Sequence, residues 1–432
     1  MLLIVGTLIW LVESQVAAGP GEPGPCAVAS QTVNINGALE TKVYYPTTDS
    51  CDAAIAAPYP AVAFAHGFSM FGLSNGAAEN AGNGEHLARW GYVVAIPRLP
   101  DDAEERITDT LDVLSYLETE TGTPGSFLYQ KVDTNRLATA GHSFGGATAL
   151  AAAARDARVK AVVALDPVYH QGGPTGGDPF WDPETEAPNI TVPTVILGAP
   201  PSDCNSDADY VDIYPWVGVT HKASYLIVGA SHCDFTDPGH FLCYLFCGGG
   251  QADPVKTQLS QKYMVAWFNY YLYVNTDHYD YLYGIEADAD IVAGSIERQA
   301  DTAPREFTAR GSIEAVVLEW ELYEHPIVAG YNIYRHLPSG VFTDEPHVQV
   351  GRVSSYRDRG LVAGQIYTYT IRSRDAAHNL HESSDTVNAA PVGSTVWVCL
   401  PTILRGHTLA PSKVRDVQVS FDGYGEDAGR ER

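Results

Sequence analysis

The chain has 432 residues, of which 45% are hydrophobic and 18% charged, and acidic residues outnumber basic ones 52 to 26. This length predicts two or three domains, and the apolar content is enough to bury a sizeable core, which excludes a disordered chain. The formal net charge of −26 argues against nucleic-acid binding and against a polybasic membrane anchor, because both need clustered Lys and Arg.

The first residues have the pattern of a secretory signal peptide. Leu2–Val12 is an apolar run of 11 residues, shorter than the roughly 20 that cross a bilayer, and small residues precede a cleavage site at Ala18. We therefore predict a signal peptide over residues 1–18 and a secreted, soluble mature protein without a membrane span. The basic start of a signal peptide is missing, since the first Lys or Arg is Lys42, and a buried N-terminal helix is the alternative.

Seven cysteines occur without the CxxC or HxxxH frames of a zinc site. Cysteines of a secreted protein are usually paired, and we predict a bond between Cys26 and Cys51. Two further bonds are predicted in a later group whose pairing the sequence leaves open: Cys204, Cys233, Cys243 and Cys247. The odd count leaves at least one cysteine unpaired or paired between chains.

A Gly- and Pro-rich start predicts a flexible segment over residues 19–37, and residues 38–285 then alternate between two kinds of pattern. Short runs rich in Val, Ile and Ala predict buried parallel strands: Ala61–Ala65, Tyr92–Ile96, Leu137–Ala140, Val159–Leu165, Thr194–Leu197 and Ser224–Val228. Helices are predicted between and after them: Gly84–Trp90, Glu105–Glu118, Ala147–Arg155 and Gln258–Val274. This alternation predicts an α/β fold, a mostly parallel sheet with helices on both faces.

The pattern changes after Gly284. Residues 286–302 are acidic and without a clear period, which predicts a linker, and residues 303–391 show short alternating strands typical of a β-sandwich. Several residues match the motifs of one such family: Trp320, the pair Tyr331 and Tyr334, and the corner Leu361, Gly364 and Tyr367. On these the segment resembles a fibronectin type III domain, which implies a spacer or an adhesive unit. No prediction is made for the tail at 392–432.

The strongest chemical signal is Gly-His-Ser-Phe-Gly-Gly at residues 141–146. It follows a predicted strand, Leu137–Ala140, and opens an Ala-rich helix, which is the context of a nucleophile elbow. Small residues at 141 and 145 let the strand and the helix approach, and a helix N-terminus favours developing negative charge. Ser143 is therefore the candidate nucleophile, against the alternative of a glycine-rich turn with an inert serine.

A serine nucleophile needs a base, and the base should follow a later strand. His232 does, in the loop after the predicted strand Ser224–Val228. The other downstream histidines fit less well or have no such position: His170, His221, His240 and His278.

Two aspartates compete to hold that imidazole. Asp166 ends the strand Val159–Leu165, and Asp203 lies in the loop after Thr194–Leu197. Both follow the order Ser, Asp, His, so order does not decide. We prefer Asp166 because it stands at the strand end beside the nucleophile's strand, and Asp203 stays the alternative acid.

Hydrolysis also needs N–H donors for the oxyanion. We predict the backbone N–H groups of Phe144 and of Phe68, which follows an early strand, and take His66 as a structural residue of that loop. Apolar side chains near these loops predict an acyl pocket, with core packing as the alternative for each: Phe68, Met70, Phe71, Phe144, Tyr169 and Trp181. Residues 171–188, rich in Gly and Pro, are a candidate pocket wall or lid.

Five stretches within residues 38–275 form an ordered set: Tyr59-Pro60 through His66-Gly67-Phe68, Gly91 to Val94, Gly141 to Gly146, Leu165 to Val168, and Ser231 to Asp234. In this order they resemble α/β-hydrolases of the chlorophyllase-like group, with relatives among platelet-activating-factor acetylhydrolases and cutinase-like polyester hydrolases. The resemblance implies Ser143 as nucleophile, Asp166 as acid and His232 as base. Polyester hydrolases carry the acid after the next strand, at the place of Asp203. The implied activity is carboxylic ester cleavage.

The sequence thus predicts a secreted, monomeric serine hydrolase that cleaves lipid-like, aryl or polyester carboxylic esters without a metal or an organic cofactor. Two alternatives stay open. One is a non-catalytic surface or adhesion protein on a hydrolase-like scaffold, and the other is a serine peptidase with the same three residues.

Overall fold

The computed structural model describes residues 18–47, 51, 55–68, 75–170, 181–219, 221–248, 251–300, 304, 306–322, 326–336, 345–376, 380–384 and 386–393. The predicted signal peptide lies outside the described residues except for Ala18. Most of the predicted tail, including Cys399, also lies outside them, as do Met70 and Phe71 of the predicted pocket.

Strands of the first part of the chain form one mixed sheet within the described residues. They are β1 (Val28–Ile35), β2 (Leu39–Pro46), β3 (Tyr59–Ala65), β4 (Val93–Pro97), β5 (Val132–His142), β6 (Val159–Leu165), β7 (Thr194–Gly198), β8 (Lys222–Ile227) and β9 (Ile296–Ala300). Their order is β1-β2-β4-β3-β5-β6-β7-β8-β9. The strands β4, β3, β5, β6, β7 and β8 run parallel, and the edge strands pair antiparallel.

Helices cover both faces of this sheet. They are α1 (Gly76–Glu79), α2 (Ala81–Arg89), α3 (Ala103–Gly122), α4 (Phe144–Arg155), α5 (Pro183–Glu186), α6 (Tyr210–Trp216), α7 (Phe241–Cys247), α8 (Pro254–Leu272), α9 (Tyr279–Leu282) and α10 (Ile285–Val292). Leu114 of α3 and Leu150 of α4 belong to one buried cluster, and Trp267 of α8 belongs to the other. Every residue of β3, β4 and β7 is buried, as expected for strands covered on both faces. The predicted α/β fold class is confirmed.

Two segments predicted to be flexible connections are elements of the sheet, so both predictions are wrong. The predicted flexible segment 19–37 contains β1, which pairs with β2 along its whole length, and the Cys26 N–H donates to the Arg89 carbonyl at 3.0 Å. The predicted linker 286–302 contains α10 and β9, and β9 pairs antiparallel with β8 through residues 296–300. Both strands mix polar and apolar residues at a sheet edge, so their own sequence carries little hydrophobic signal.

An antiparallel β domain follows the main sheet. Its strands are β10 (Thr308–Ser312), β11 (Ala315–Glu319), β12 (Gly330–His336), β13 (Val348–Val350), β14 (Ser355–Arg359), β15 (Tyr367–Arg374), β16 (Leu380–Ser383) and β17 (Val387–Ala389). β10, β11 and β14 form one sheet, and the others form a second. Asp358 of β14 joins the two, because its buried carboxylate accepts from Arg335 of β12 at 2.8 Å and from Tyr369 of β15 at 2.9 Å. The β domain is confirmed, and its fibronectin type III identity stays a prediction.

Disulfide bonds tie several loops of the described residues together. The pairs are Cys26–Cys51, Cys204–Cys247 and Cys233–Cys243. The first is the pair predicted from the sequence, and the other two join the loops after β7 and β8 to α7. Within the described ranges, no helix combines the length and the apolar character that a membrane crossing requires.

Acidification is expected to destabilise the fold through His278. Its ring is buried, and Nε2 accepts a hydrogen bond from the Asn269 amide at 3.0 Å. Burial lowers the pKa of His278 from 6.5 to about 4, so the unfolded chain takes up a proton in a pH range where the folded chain does not. The stability that depends on the neutral ring is present above pH 6.5 and is lost as the pH falls toward 4, by about 2.5 kcal/mol at pH 4.5.

The variant His278→Phe should lack this part of the pH dependence of the free energy of unfolding, measured by urea titration at pH 7 and pH 4.5. His221→Phe replaces a partly exposed ring and serves as the control. The same loss of stability between the two pH values in His278→Phe and in the wild type would contradict the assignment.

Candidate active site

Ser143 stands between the last residue of β5 and the first residue of α4. Its φ of +59° lies where a non-glycine residue is strained by about 1 kcal/mol or more. A side chain at Gly141 would collide with the Gly145 carbonyl, and one at Gly145 would collide with the Ala65 carbonyl of β3. The glycines therefore allow the tight strand–turn–helix elbow that presents the serine at the carboxyl edge of the sheet.

His232 reaches the same edge from β8. It begins a short 3₁₀ turn, His232–Phe235, which is capped because the Ser231 N–H donates to Asp234 Oδ2 at 2.7 Å. The side chain of His232 is 3% exposed, and its Nε2 lies 3.0 Å from Ser143 Oγ. An imidazole at this distance can take the proton of the hydroxyl.

Asp166, at the end of β6, lies on the far side of the imidazole. Its Oδ2 is 2.6 Å from His232 Nδ1, and its Oδ1 accepts from the Ala199 N–H at 3.0 Å and the Asn205 amide at 3.1 Å. Because the carboxylate can only accept, it holds the proton on Nδ1 and leaves Nε2 as the acceptor that faces Ser143. Asn205 was not singled out from the sequence, since no pattern marks it.

Asp203, the alternative acid, lies elsewhere at this edge. Its backbone N–H donates to the Cys247 carbonyl at 3.3 Å, and its Oδ2 would lie 3.5 Å from a Cβ built on Gly248. The geometry therefore favours Asp166 as the partner of His232, and the role of the acid stays a prediction.

A second histidine, His142, forms a hydrogen bond with the backbone of His232. It is 4% exposed, and its Nε2–H donates to the His232 carbonyl at 2.8 Å, with the two ring centres 4.6 Å apart. Burial, and then the neighbouring His232, hold the pKa of His142 well below its ordinary value. The ring is thus a neutral donor that fixes the backbone of His232. The role of His142 was not predicted from the sequence, although its position directly before Ser143 could have indicated it.

Both predicted oxyanion segments lie beside Ser143. Phe144 is the first residue of α4, and the loop that carries Phe68 passes so close that a Cβ built on Gly67 would lie 3.3 Å from Ser143 Cβ. Phe68 is 43% exposed and Phe144 is buried. The roles of their N–H groups as oxyanion donors stay predictions.

The predicted pocket residues within the described part of the chain are mostly core residues. Tyr169 and Trp181 are 6% and 3% exposed and pack in the same buried cluster as Ile213 of α6. This packing favours the core interpretation for both. Residues 171–180 of the predicted lid lie outside the described residues.

A group with possible metal ligands joins the loop after β6, which carries His170, to the loop after β7, which carries Asp207 and Asp209. Oxygen and nitrogen atoms of His170, Asp207 and Asp209 lie within 4.8 Å of one another. Asp209 Oδ2 accepts from the Tyr169 N–H at 2.8 Å, and Oδ1 lies 3.1 Å from His170 Nδ1. These bonds already use both oxygens of Asp209, so the group is explained as an anchor of the loop that starts at Asp166.

Comparison with known proteins points in the same direction as the geometry. Residues 13–303 match the PETase family, described as PET hydrolase-like. A bis(hydroxyethyl) terephthalate hydrolase from Streptomyces coelicolor is 28% identical over 182 residues, which are 41% of this chain and 50% of that protein. Cutinase 1 from Thermobifida cellulosilytica is 25% identical over 294 residues, 65% of this chain and 92% of that protein. A cutinase from Thermobifida fusca is also 25% identical over 294 residues, 80% of its length. The chain therefore spans about half of the first relative and most of each cutinase.

Proposed function

The chain belongs to the PET hydrolase-like family, and from that premise we propose that it cleaves carboxylic esters through an acyl-enzyme on Ser143. Its relatives are named as hydrolases of esters, so the prediction of a carboxylic ester hydrolase is confirmed at the level of the family. One observation supports the residues proposed here: Nε2 of His232 lies 3.0 Å from Ser143 Oγ, while Nδ1 lies 2.6 Å from Asp166 Oδ2.

The proposed reaction has two matching halves. His232 takes the proton of Ser143 Oγ as this oxygen attacks the ester carbonyl carbon, and the N–H groups of Phe68 and Phe144 stabilise the oxyanion that forms. When the C–O bond breaks, His232 donates the proton to the leaving alcohol. Water then repeats these steps on the acyl-enzyme and releases the acid, while Asp166 stabilises the imidazolium in each half.

For the substrate we propose esters of apolar or aromatic acids, including terephthalate esters and aliphatic polyesters of the cutin kind. The names of the relatives support this class, and so do the apolar side chains of Phe68 and Phe144, which lie in the two segments beside Ser143. We also propose that the protein is secreted, because the three disulfide bonds among the described residues fit an oxidising compartment.

For the β domain we propose a fibronectin type III-like spacer or adhesive unit. The Val362 N–H donates to the Tyr367 hydroxyl at 3.2 Å, which has the form of the tyrosine corner of such sandwiches. Trp320 packs edge-on against Tyr331 at 5.4 Å between ring centres.

The test is turnover of a substrate panel combined with active-site labelling. We expect hydrolysis of bis(hydroxyethyl) terephthalate and p-nitrophenyl butyrate, slow or no cleavage of the matching butyryl anilide, and one fluorophosphonate group on the peptide that contains Ser143. Protein pre-treated with the fluorophosphonate is the control and should be inactive on every ester. Turnover without labelling would reject the acyl-enzyme, and an inert panel with retained binding to a polymer film would favour an adhesion protein.

A further inference from the structure

A buried arginine contacts both segments that are proposed to bind the oxyanion. Arg106 of α3 is 0% exposed, and its Nη2 donates to the His66 carbonyl, two residues before Phe68. Its Cζ lies 4.3 Å from the centre of the Phe144 ring, and its Nε donates to Thr148 Oγ1 of α4 at 3.4 Å. One side chain thus touches the loop after β3 and the start of α4.

The acceptors of this guanidinium are neutral oxygens in the part of the chain that the structure describes. Besides the His66 carbonyl they are Thr148 Oγ1 and the Pro100 carbonyl, the latter at 2.8 Å. Burial lowers the pKa of Arg106 to about 9. The carboxylates of Asp101 and Asp109 act against this shift, but the hydrogen bonds of the guanidinium within the described residues go to neutral oxygens. Burying a cation in such surroundings costs stability. Stability alone therefore does not explain why a cation is buried at this position.

The ring of His66 holds the next carbonyl of the same loop, that of Gly67. Its Nε2 accepts from the Leu99 N–H at 2.9 Å, and its Nδ1 lies 2.6 Å from the Gly67 carbonyl. Because a backbone N–H only donates and a carbonyl only accepts, the ring is the neutral tautomer with its proton on Nδ1. Burial, with Arg106 nearby, lowers the pKa of His66 to about 3, so this state holds across the working pH range.

We propose that Arg106 is a positioning residue which, together with His66, fixes the backbone of residues 66–68 and the start of α4 so that two N–H groups converge on the oxyanion. The peptide planes that carry the N–H groups of Gly67 and Phe68 have their carbonyls held by Arg106 and by the His66 ring. An oxyanion donor works only when it is preorganised within a fraction of an ångström. This inference rests on the proposed function, because it assigns a purpose to the proposed donors Phe68 and Phe144.

The test uses Arg106→Lys in the full chain, which keeps the charge and loses the planar fork. We expect kcat for p-nitrophenyl butyrate to fall about 10- to 100-fold, less than the about 10²- to 10³-fold effect of losing an oxyanion donor outright, with KM nearly unchanged. The inhibition constant of a butyl trifluoromethyl ketone should rise by the same factor, because its adduct with Ser143 places an oxyanion between the same N–H groups. A merely structural role would not couple these two changes.

Two further variants keep the test decisive. His66→Gln removes the neighbouring support and should give the same paired changes, even if Arg106→Lys does not fold. Lys222→Gln is the matched control, since Lys222 is 4% exposed and donates to the Tyr214 and Val217 carbonyls at 2.9 and 2.8 Å, at the opposite end of β8. It should lower the melting temperature and leave kcat and the ketone affinity unchanged.

The outcomes separate this inference from the proposed function. If fluorophosphonate does not label the wild type at Ser143, the proposed function fails. If the wild type is labelled but folded Arg106→Lys or His66→Gln keeps wild-type kcat and ketone affinity, only the positioning role is overturned. An equal fall of kcat in Lys222→Gln would also overturn it, because the effect would then follow from lost stability.

Discussion

The Ser143→Ala variant is expected to lose about 10⁶-fold in kcat for p-nitrophenyl butyrate, while its melting temperature stays close to that of the wild type. The substitution removes one heavy atom, the hydroxyl oxygen Oγ, which lies 3.0 Å from His232 Nε2. Without it no acyl-enzyme can form, and the residual rate would come from the oxyanion donors and substrate binding alone. Initial rates at saturating substrate and a thermal melt measure the two quantities.

Ser206→Ala is the control, because Ser206 is an exposed serine whose hydroxyl donates to Asp207 at 3.3 Å. It should keep full activity. A Ser143→Ala variant that still turns over the ester at a rate near that of the wild type would show that the nucleophile is another residue or that water attacks directly.

The central sheet could be predicted because its information is local. A strand covered on both faces must be apolar at every position, as β3 and β7 are, and no other element of that length needs this composition. The elbow could be predicted from its motif, although the collision that excludes a side chain at Gly145 involves Ala65 of β3, which is distant in the sequence. The small residues of the motif are the ones that the packing of the elbow requires.

The edge strand β9 could not be predicted because its stability comes from a partner that is distant in the sequence. β9 reads Ile-Glu-Arg-Gln-Ala, with Ile296 as its fully buried residue, and its backbone is satisfied by β8, some 70 residues earlier. β1 differs, because its partner β2 follows it directly in the sequence, and it was missed because polar residues interrupt its apolar ones. Polar edge strands have no hydrophobic period that would separate them from a linker.

The contacts around the site could not be predicted because, like those of β9, they join residues that are distant in the sequence. The contacts of Arg106 with His66 and Thr148 span 40 and 42 residues, and Asn205 reaches Asp166 across 39 residues. No spacing rule predicts which polar residue will fill such a position. Strand order could place Ser143, Asp166 and His232 at one edge and favoured Asp166 over Asp203, and the distance of 2.6 Å between Asp166 Oδ2 and His232 Nδ1 supports that preference.

The substitution Asp166→Asn is expected to have the second largest effect on kcat. In Asp166→Asn the amide oxygen is expected to keep the two donors that now bind Oδ1, the Ala199 N–H at 3.0 Å and the Asn205 amide at 3.1 Å. The NH₂ group must then face His232 Nδ1, which can accept it only by moving its own proton to Nε2. In this tautomer Nε2 cannot take the proton of Ser143, and we expect kcat to fall about 10⁴-fold with the structure intact.

Asp203→Asn is the matched variant, because it makes the same chemical change in the neighbouring loop, where the backbone N–H of residue 203 bonds to the Cys247 carbonyl at 3.3 Å. It should keep kcat within a few-fold of the wild type. The comparison of kcat in the two variants decides between the two strand ends at which this family could carry its acid. Loss of activity in Asp203→Asn alone would place the acid after β7 and require the loop of Asp203 to approach His232 in the working enzyme. Loss in both would mean that the Asp203 loop, which the Cys204–Cys247 disulfide joins to α7, also helps to hold the imidazole.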